Sequence, residues 1–259
     1  MKKNLSLLCI AMAAIACGND GPEGTVTGDI DYIEIQQLAG SGADAFVHHN
    51  YVLNLSNDAS GRINGITETH YIIFDPGAKP ELHSTESLTI TYNGTSGTIA
   101  RHCDGTDYED SFVLDDAGNL KEFSQEKSYK STYKYDNGYL VKIQGYDNYS
   151  GMDISWSGGD LVKTGDTELT YSSDPNPFAD TFDLTVRPLN EWYPSPLYFY
   201  AAGFFGKHSA HLVKTIGEGD YAVTYNYFKD SKGRIEKITV SSTYEGVTSI
   251  GEQYLIHYK

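Results

Sequence analysis

Cysteine is scarce in this 259-residue chain, which contains only Cys9, Cys17 and Cys103. The first two lie within and directly after an apolar N-terminal stretch, so Cys103 is the one thiol in the rest of the chain. A single thiol builds neither a disulfide framework nor a cysteine metal site. A Cys17–Cys103 disulfide would become possible only if Cys17 were not acylated and the compartment were oxidising. More often a lone cysteine is a small buried hydrophobe.

Positively charged residues are also few. The chain has 19 lysines and arginines against 35 acids, a net charge of −16. Such a field repels nucleic acid and anionic lipid headgroups, so neither is expected as a partner. Removing Lys2 and Lys3 with a signal segment would leave 17 basic against 35 acidic residues, a net charge of −18.

Motifs of the common catalytic classes are missing. The chain has no Gly-x-Ser-x-Gly before a helix, no Walker phosphate loop and no dinucleotide fingerprint. His208 and His211 would share a face only on a helix, and two acidic loops, residues 104–110 and 147–153, lack the full pattern of a calcium loop. The sequence therefore predicts no catalytic residue, no metal site and no cofactor.

No hydrophobic run is long enough to span a bilayer as a helix. Lys2 and Lys3 precede an apolar stretch, residues 5–15, that has the length of a signal-peptide core. The stretch ends in Ala14-Ile15-Ala16-Cys17, which resembles a bacterial lipobox, although leucine is more usual at the position of Ala14 and simple secretion also fits. We predict a signal peptide over residues 1–16, lipidation of Cys17 and a flexible Gly- and Pro-containing tether over residues 17–28.

What the chain has instead is tyrosine, 21 of them, and a recurring hairpin pattern. In each copy, which we call a hairpin repeat, two apolar residues two positions apart precede a turn that closes on Gly, and Leu or Ile follows two residues later. Alternation of this kind predicts a strand, and Asn-Gly favours a tight hairpin turn. The five copies begin at Tyr51, Phe112, Tyr133, Ile154 and Tyr225. They predict successive hairpins of an antiparallel meander over residues 29–259.

The clearest hairpin repeat covers residues 133–143. A two-residue turn at Asn137-Gly138 puts Tyr133, Tyr135 and Leu140 on one face of the hairpin. The opposite face then carries Tyr139, Val141 and Ile143, while a three-residue loop would exchange the two sets. We expect Tyr133, Tyr135 and Leu140 to be core.

Residues 178–206 interrupt the repeats. Prolines break the strand pattern, and Pro196 to Gly206 bound an almost wholly apolar run that predicts about two turns of helix. Because this run is apolar all round, we expect it to be buried as a plug against one end or face of the sheet.

The repeats, with Tyr171-Ser172-Ser173 and the run Phe205-Gly206-Lys207-His208-Ser209-Ala210-His211-Leu212, resemble a lipoprotein family of Bacteroides-type bacteria known as domain of unknown function 4595. The run resembles that family's Phe-Gly-Lys-x-Ser-x-x-Leu element. The resemblance implies a porin-like fold, a lipid anchor and no established activity. We accordingly predict an all-β protein: a curved antiparallel meander forming an open or incomplete barrel, with one short helix in the insertion.

The predicted function is that of an outer-membrane lipoprotein, on either side of the membrane, that binds a glycan, peptide or protein partner without catalysis. Glu191, Trp192 and Tyr193 are the candidate ligand residues, because an acid beside two large aromatics can grip a sugar or peptide. One alternative is an envelope hydrolase that uses paired carboxylates, with Glu191 or a loop aspartate as acid or base. Another is an integral outer-membrane barrel.

Overall fold

The protein is a closed barrel of sixteen antiparallel strands in sequential order. The computed structural model describes residues 30–39, 44–59, 63–103, 105–125, 129–145, 151–177, 204–219, 222–244 and 247–258. The strands are β1 Ile30–Ala39, β2 Phe46–Asn57, β3 Ile63–Ile72, β4 Glu81–Asn93, β5 Ser96–Cys103, β6 Thr106–Leu114, β7 Leu120–Gln125, β8 Tyr129–Asp136, β9 Tyr139–Gln144, β10 Met152–Ser157, β11 Asp160–Thr164, β12 Thr167–Pro175, β13 His211–Ile216, β14 Val223–Lys229, β15 Ile235–Tyr244 and β16 Val247–Tyr258.

Closure corrects the predicted open or incomplete barrel. β1 pairs with β16 from Ile30↔Tyr258 to Gln37↔Glu252, so no strand is left with an unpaired edge. The predicted short helix is corrected where the structure describes it: that part of the chain contains no α-helix, and Phe204–Phe205, at the end of the predicted helix, form a turn. In the same part, no helix is long and apolar enough to cross a membrane. Residues 178–203, where most of the helix was predicted, lie outside the described residues.

All five hairpin repeats turn at the same end of the barrel, because each joins an even-numbered strand to the next odd-numbered one. The turn at Asn137-Gly138 has the positive φ angles, 50° and 83°, that a tight hairpin of this kind requires. The segment between β12 and β13 belongs to this end too. We call it the plugged end, and the opposite end the far end.

A β-bulge follows the Leu or Ile of each hairpin repeat. In the copy at Tyr133, Lys134 pairs with Lys142 but Tyr135 pairs with Leu140, so Val141 is the extra residue. The bulge turns Ile143 to the same face as Leu140, and these side chains are 3% and 2% exposed. The predicted core face of Tyr133, Tyr135 and Leu140 is confirmed, whereas the placement of Ile143 on the opposite face is wrong.

The main-chain carbonyl just before a bulge accepts a hydrogen bond from an aromatic side chain of the next strand. A bulge interrupts the ladder, so its carbonyls need other donors. Four such bonds occur among the described residues: Trp156 to Leu140 at 2.7 Å, Tyr171 to Leu161 at 2.7 Å, Tyr227 to Val213 at 2.6 Å and Tyr258 to Ile235 at 2.8 Å. This role accounts for the polar atom of Trp156 and Tyr227, which precede the turns of their own hairpin repeats.

The interior of the plugged end is filled with apolar side chains. Phe204 and Phe205, from the segment before β13, are 2% and 6% exposed. Phe204 packs on Phe112 with ring centroids 5.1 Å apart, and Phe205 lies 6.0 Å from Tyr133. The predicted plug is therefore present in the described end of the insertion, and the barrel core lies at this end.

Residues 205–212 hold the plug in place through the positions that carry the family resemblance. Gly206 bridges to Tyr139, and the Lys207 amide donates to the carbonyl of Gly138 at 2.8 Å. The Ser209 hydroxyl, fully buried, accepts from the Leu161 amide at 3.2 Å. These contacts fasten the segment across the hairpin turns.

Candidate ligand site in the barrel lumen

The inner face of β2, β3 and β4 changes from apolar to polar on the way to the far end. Ile66 and Leu88 pair across β3 and β4 inside the core. Because alternate residues of a strand share a face, the next inward pair is Glu68↔Glu86. Beyond it, His70 pairs with Tyr51 of β2. Carboxylate, imidazole and phenol groups therefore line the wall above the core.

Four histidines crowd this wall at the far end. Tyr51 and His70 stack with ring centroids 4.3 Å apart and planes 12° from parallel. Nδ1 of His49 lies 2.8 Å from Nε2 of His70, within hydrogen-bonding distance. His83 of β4 meets His70 edge-on at 4.9 Å, and His48 meets His49 edge-on at 4.2 Å. We call His49, His70 and His83 the imidazole row.

The charges of three glutamates act on the phenol of Tyr51. Burial, followed by the negative charges of Glu68, Glu252 and Glu86, raises the pKa of Tyr51 above its ordinary value. Its hydroxyl is therefore protonated at neutral pH and available as a donor. The Cys103 thiol donates to Oε1 of Glu86 at 3.1 Å, and the Tyr254 hydroxyl donates to Glu252.

The imidazoles nearest these carboxylates are neutral at pH 7. Burial and the neighbouring imidazoles lower the pKa of both His49 and His70, while Glu86 acts in the opposite direction on His70. The inward Arg101 is held by Asp110, with Nε 2.6 Å from the carboxylate, and both side chains are buried. The far-end wall therefore presents acceptors and neutral imidazoles with a net negative charge.

A cleft of about 300 Å³ lies between β14, β15, β16 and the end of β1. Gln37, Val223, Val240 and Glu252 are among the residues that line it. Its volume matches the small end of the range for small-molecule sites. Glu252 links the two features, because it lines the cleft and its charge acts on Tyr51.

Among the described residues, no group of three metal-binding side chains occurs. His211 hydrogen-bonds Asp160 at 2.8 Å, and burial lowers the pKa of His208 to about 3. In the first acidic loop, Asp107 faces His102 at 2.7 Å while Asp110 turns inward to Arg101. In the second, Asp153 pairs with Lys142 at 3.0 Å.

The predicted ligand residues Glu191, Trp192 and Tyr193, and the predicted lipidation site Cys17, lie outside the described residues and stay predictions. The residues of the far-end wall were not predicted from the sequence. Its signal was available: Glu68 and His70 alternate in phase with Ile66, which marks an inward face that turns polar. The spacing could not show that three separate strands bring their histidines together.

Comparison with known proteins identifies the fold but no family. A search of protein-family models found no match, and no curated protein matches the chain. The crystal structure of a porin-like protein from Bacteroides uniformis covers 89% of this chain and 98% of its own, with 15% identity and a TM-score of 0.63. A porin-like protein from Bacteroides vulgatus has the same coverage with 14% identity and a TM-score of 0.27, too low to add to the argument. The chain thus has a porin-like β-barrel fold.

Proposed function

We propose that this protein is a lipoprotein of the bacterial envelope, anchored through Cys17, that binds a small ligand in the far end of its barrel without catalysis. The observation that carries this proposal is the contrast between the two ends. The plugged end is a packed core, whereas the far-end wall gathers Glu68, Glu86 and Glu252 around Tyr51. The resemblance to domain of unknown function 4595 supports the anchored setting.

The chemistry of the wall favours a ligand rich in hydrogen-bond donors. Carboxylates accept up to four hydrogen bonds each, and charge-assisted bonds are stronger than neutral ones. The partly exposed rings of Tyr51 and His70 add aromatic surface. Sugars and organic amines share this donor-rich chemistry, and a binding assay with both classes distinguishes them.

We infer from its strands that the barrel stands outside the bilayer. A membrane-spanning strand needs about 9–11 residues, whereas β9, β10, β11 and β13 have 6, 6, 5 and 6. Transmembrane barrels place apolar residues outside and polar ones inside. Here the core residues point inward, and outward positions such as Thr89 and Lys134 are exposed and polar. These features favour the tethered barrel over the integral one.

Hydrolysis is the second candidate function, because Glu68 and Glu86 form a direct cross-strand pair on the inward face. Two carboxylates that face one site are what glycoside hydrolysis requires, one as acid and one as nucleophile or base. The mature protein incubated with envelope oligosaccharides would release reducing ends under this hypothesis. Intact oligosaccharides after prolonged incubation would exclude it.

Calorimetric titration with neutral oligosaccharides and with a polyamine tests the binding proposal. Glu68→Gln should lower the affinity for whichever ligand class binds by at least about tenfold, because it removes an acceptor of charge-assisted hydrogen bonds. Glu122→Gln is the matched control, since Glu122 pairs with Lys130 at 2.6 Å on β7 and β8, away from this wall. If Glu68→Gln binds with undiminished affinity, the far-end site is contradicted. If Trp192→Ala loses affinity, the ligand binds at the insertion instead.

Fractionation of cells that produce Cys17→Ala tests the anchor. A tethered barrel should move from the membrane to the soluble fraction when the acylated residue is replaced. Retention of the variant in the membrane fraction would contradict the anchor at Cys17.

A further inference from the structure

The far end concentrates imidazoles to an unusual degree. The chain contains 8 histidines, and His48, His49, His70 and His83 lie in ring contact on β2, β3 and β4. The ring centroids of His49 and His70 are 5.0 Å apart, and those of His70 and His83 are 4.9 Å apart. Charges on these rings would therefore face one another across adjacent strands at short range.

The contact between His49 and His70 can hold only one proton. A neutral imidazole has one N–H donor and one acceptor nitrogen, whereas an imidazolium has two donors and no acceptor. The 2.8 Å contact between Nδ1 of His49 and Nε2 of His70 therefore forms when at least one ring is neutral. When both rings are charged, two N–H groups point at each other and the bond is lost.

The groups around the row oppose a second proton more than they favour it. His48 and Tyr51 contact it from β2, and Glu86 of β4 acts on His70. Glu68 of β3 and Glu252 of β16 act with Glu86 on Tyr51, and the Cys103 thiol of β5 donates to Glu86. Burial is the largest influence on the pKa of His49 and of His70, and it acts with the neighbouring imidazoles to lower both. His49 and His70 therefore become charged together only below the ordinary range for histidine, about pH 6.5.

We propose that the imidazole row is an acid-sensitive latch on the wall formed by β2, β3 and β4. At neutral pH the His49–His70 hydrogen bond and the Tyr51–His70 stack tie β2 to β3 at the far end. On acidification, more than one ring takes up a proton, the hydrogen bond breaks, and repulsion within the row separates the far ends of the strands.

The latch would regulate the proposed ligand site, since Tyr51, Glu68 and Glu86 lie on the same strands as the row. Imidazolium groups would neutralise the nearby carboxylates and displace Tyr51 from its stack. A donor-rich ligand would then be released in acid. This regulation rests on the proposed function, whereas the latch itself is testable without any ligand.

Hydrogen-exchange mass spectrometry at pH 7.5 and 5.5, corrected for intrinsic exchange and with a chelator present, tests the latch. Protection of the far-end amides of β2 and β3 should fall about tenfold or more at pH 5.5, while β14 and β15 change little. His70→Gln should abolish the difference, because an amide side chain does not titrate. His102→Gln is the control, since His102 lies on the outer face of β5, paired with Asp107.

A nitrogen-resolved NMR titration of the wild-type imidazoles provides the readout that needs no variant. The pKa values of His49 and His70 should lie below the ordinary histidine value, and their shared proton should disappear as exchange of β2 and β3 rises. The latch would be overturned if both rings had the ordinary histidine pKa. It would also be overturned if acid changed the hydrogen exchange of wild type and His70→Gln equally. If the latch operates but no ligand binds at pH 7.5, the proposed function fails and the latch stands.

Discussion

The hydroxyl of Tyr227 donates a 2.6 Å hydrogen bond to the carbonyl of Val213, the residue before a bulge in β13. Tyr227 is packed against the core and Val213 is buried, so loss of the hydroxyl removes the donor from a buried carbonyl. Tyr227→Phe should therefore lower the free energy of unfolding by about 1–2 kcal/mol. Chemical denaturation measures this. Tyr129→Phe, at a position 40% exposed, should change it by less than about 0.5 kcal/mol. Equal effects at both positions would contradict the role of the bulge carbonyl.

The plug should be sensitive to a single methyl group at Gly206. This residue has φ of 75°, and a Cβ there would overlap the carbonyl of Gly138 and lie 3.1 Å from Oδ1 of Asn119. Gly206→Ala should cost about 2 kcal/mol or more through backbone strain and displacement of the segment. Gly233→Ala is the control: its φ is also positive, at 80°, but its Cβ would meet nothing within 4 Å. A cost no larger at Gly206 than at Gly233 would show that the close approach is unimportant.

The buried pair Arg101–Asp110 should behave differently when one or both partners are removed. Asp110→Asn leaves the buried guanidinium without its counter-charge and should cost about 3–5 kcal/mol. Arg101→Met combined with Asp110→Leu should recover most of that loss, because no charge then remains buried. Thermal unfolding of the three proteins gives the comparison. A double variant as unstable as Asp110→Asn would mean that the pair itself stabilises the lumen.

Stability should fall in acid through His208. Burial lowers the pKa of His208 to about 3, so between pH 6.5 and that value the unfolded chain binds a proton that the folded chain excludes. The contribution is fully present above pH 6.5 and is lost as the pH falls toward 3, by up to about 4 kcal/mol. Denaturation of wild type and His208→Gln at pH 7.5 and 4.5 measures it. A matching pH dependence in both proteins would place the titrating group elsewhere.

The hairpin repeats show most clearly which parts of the fold can be predicted from the sequence. Asn137 and Gly138 mark a turn because few other residues adopt positive φ, and the repeats located five of the hairpins. The same pattern could not place Ile143, because a bulge adds one residue and a shift of one residue exchanges the two faces. The local sequence determines the turn, whereas the bulge depends on the neighbouring strand, which supplies a hydrogen-bond donor.

The closure of the barrel and the far-end wall could not be predicted from local sequence, for another reason. Ile30 and Tyr258 meet across the whole length of the chain, and no periodicity shows that two ends will pair. The imidazole row likewise joins three strands whose order is known only once the meander is in place. The predicted site at Glu191, Trp192 and Tyr193 rested on adjacent residues, which is the kind of site a single stretch can show.

The chain enters β1 at Ile30, and Ile30 lies at the plugged end, beside the hairpin turns. If Cys17 carries the lipid, residues 18–29 reach at most about 45 Å from the bilayer to the barrel. The packed end would then be the base that stands toward the membrane. The wall with its glutamates and histidines would point outward, exposed to whatever solution and pH surround the cell envelope on that side.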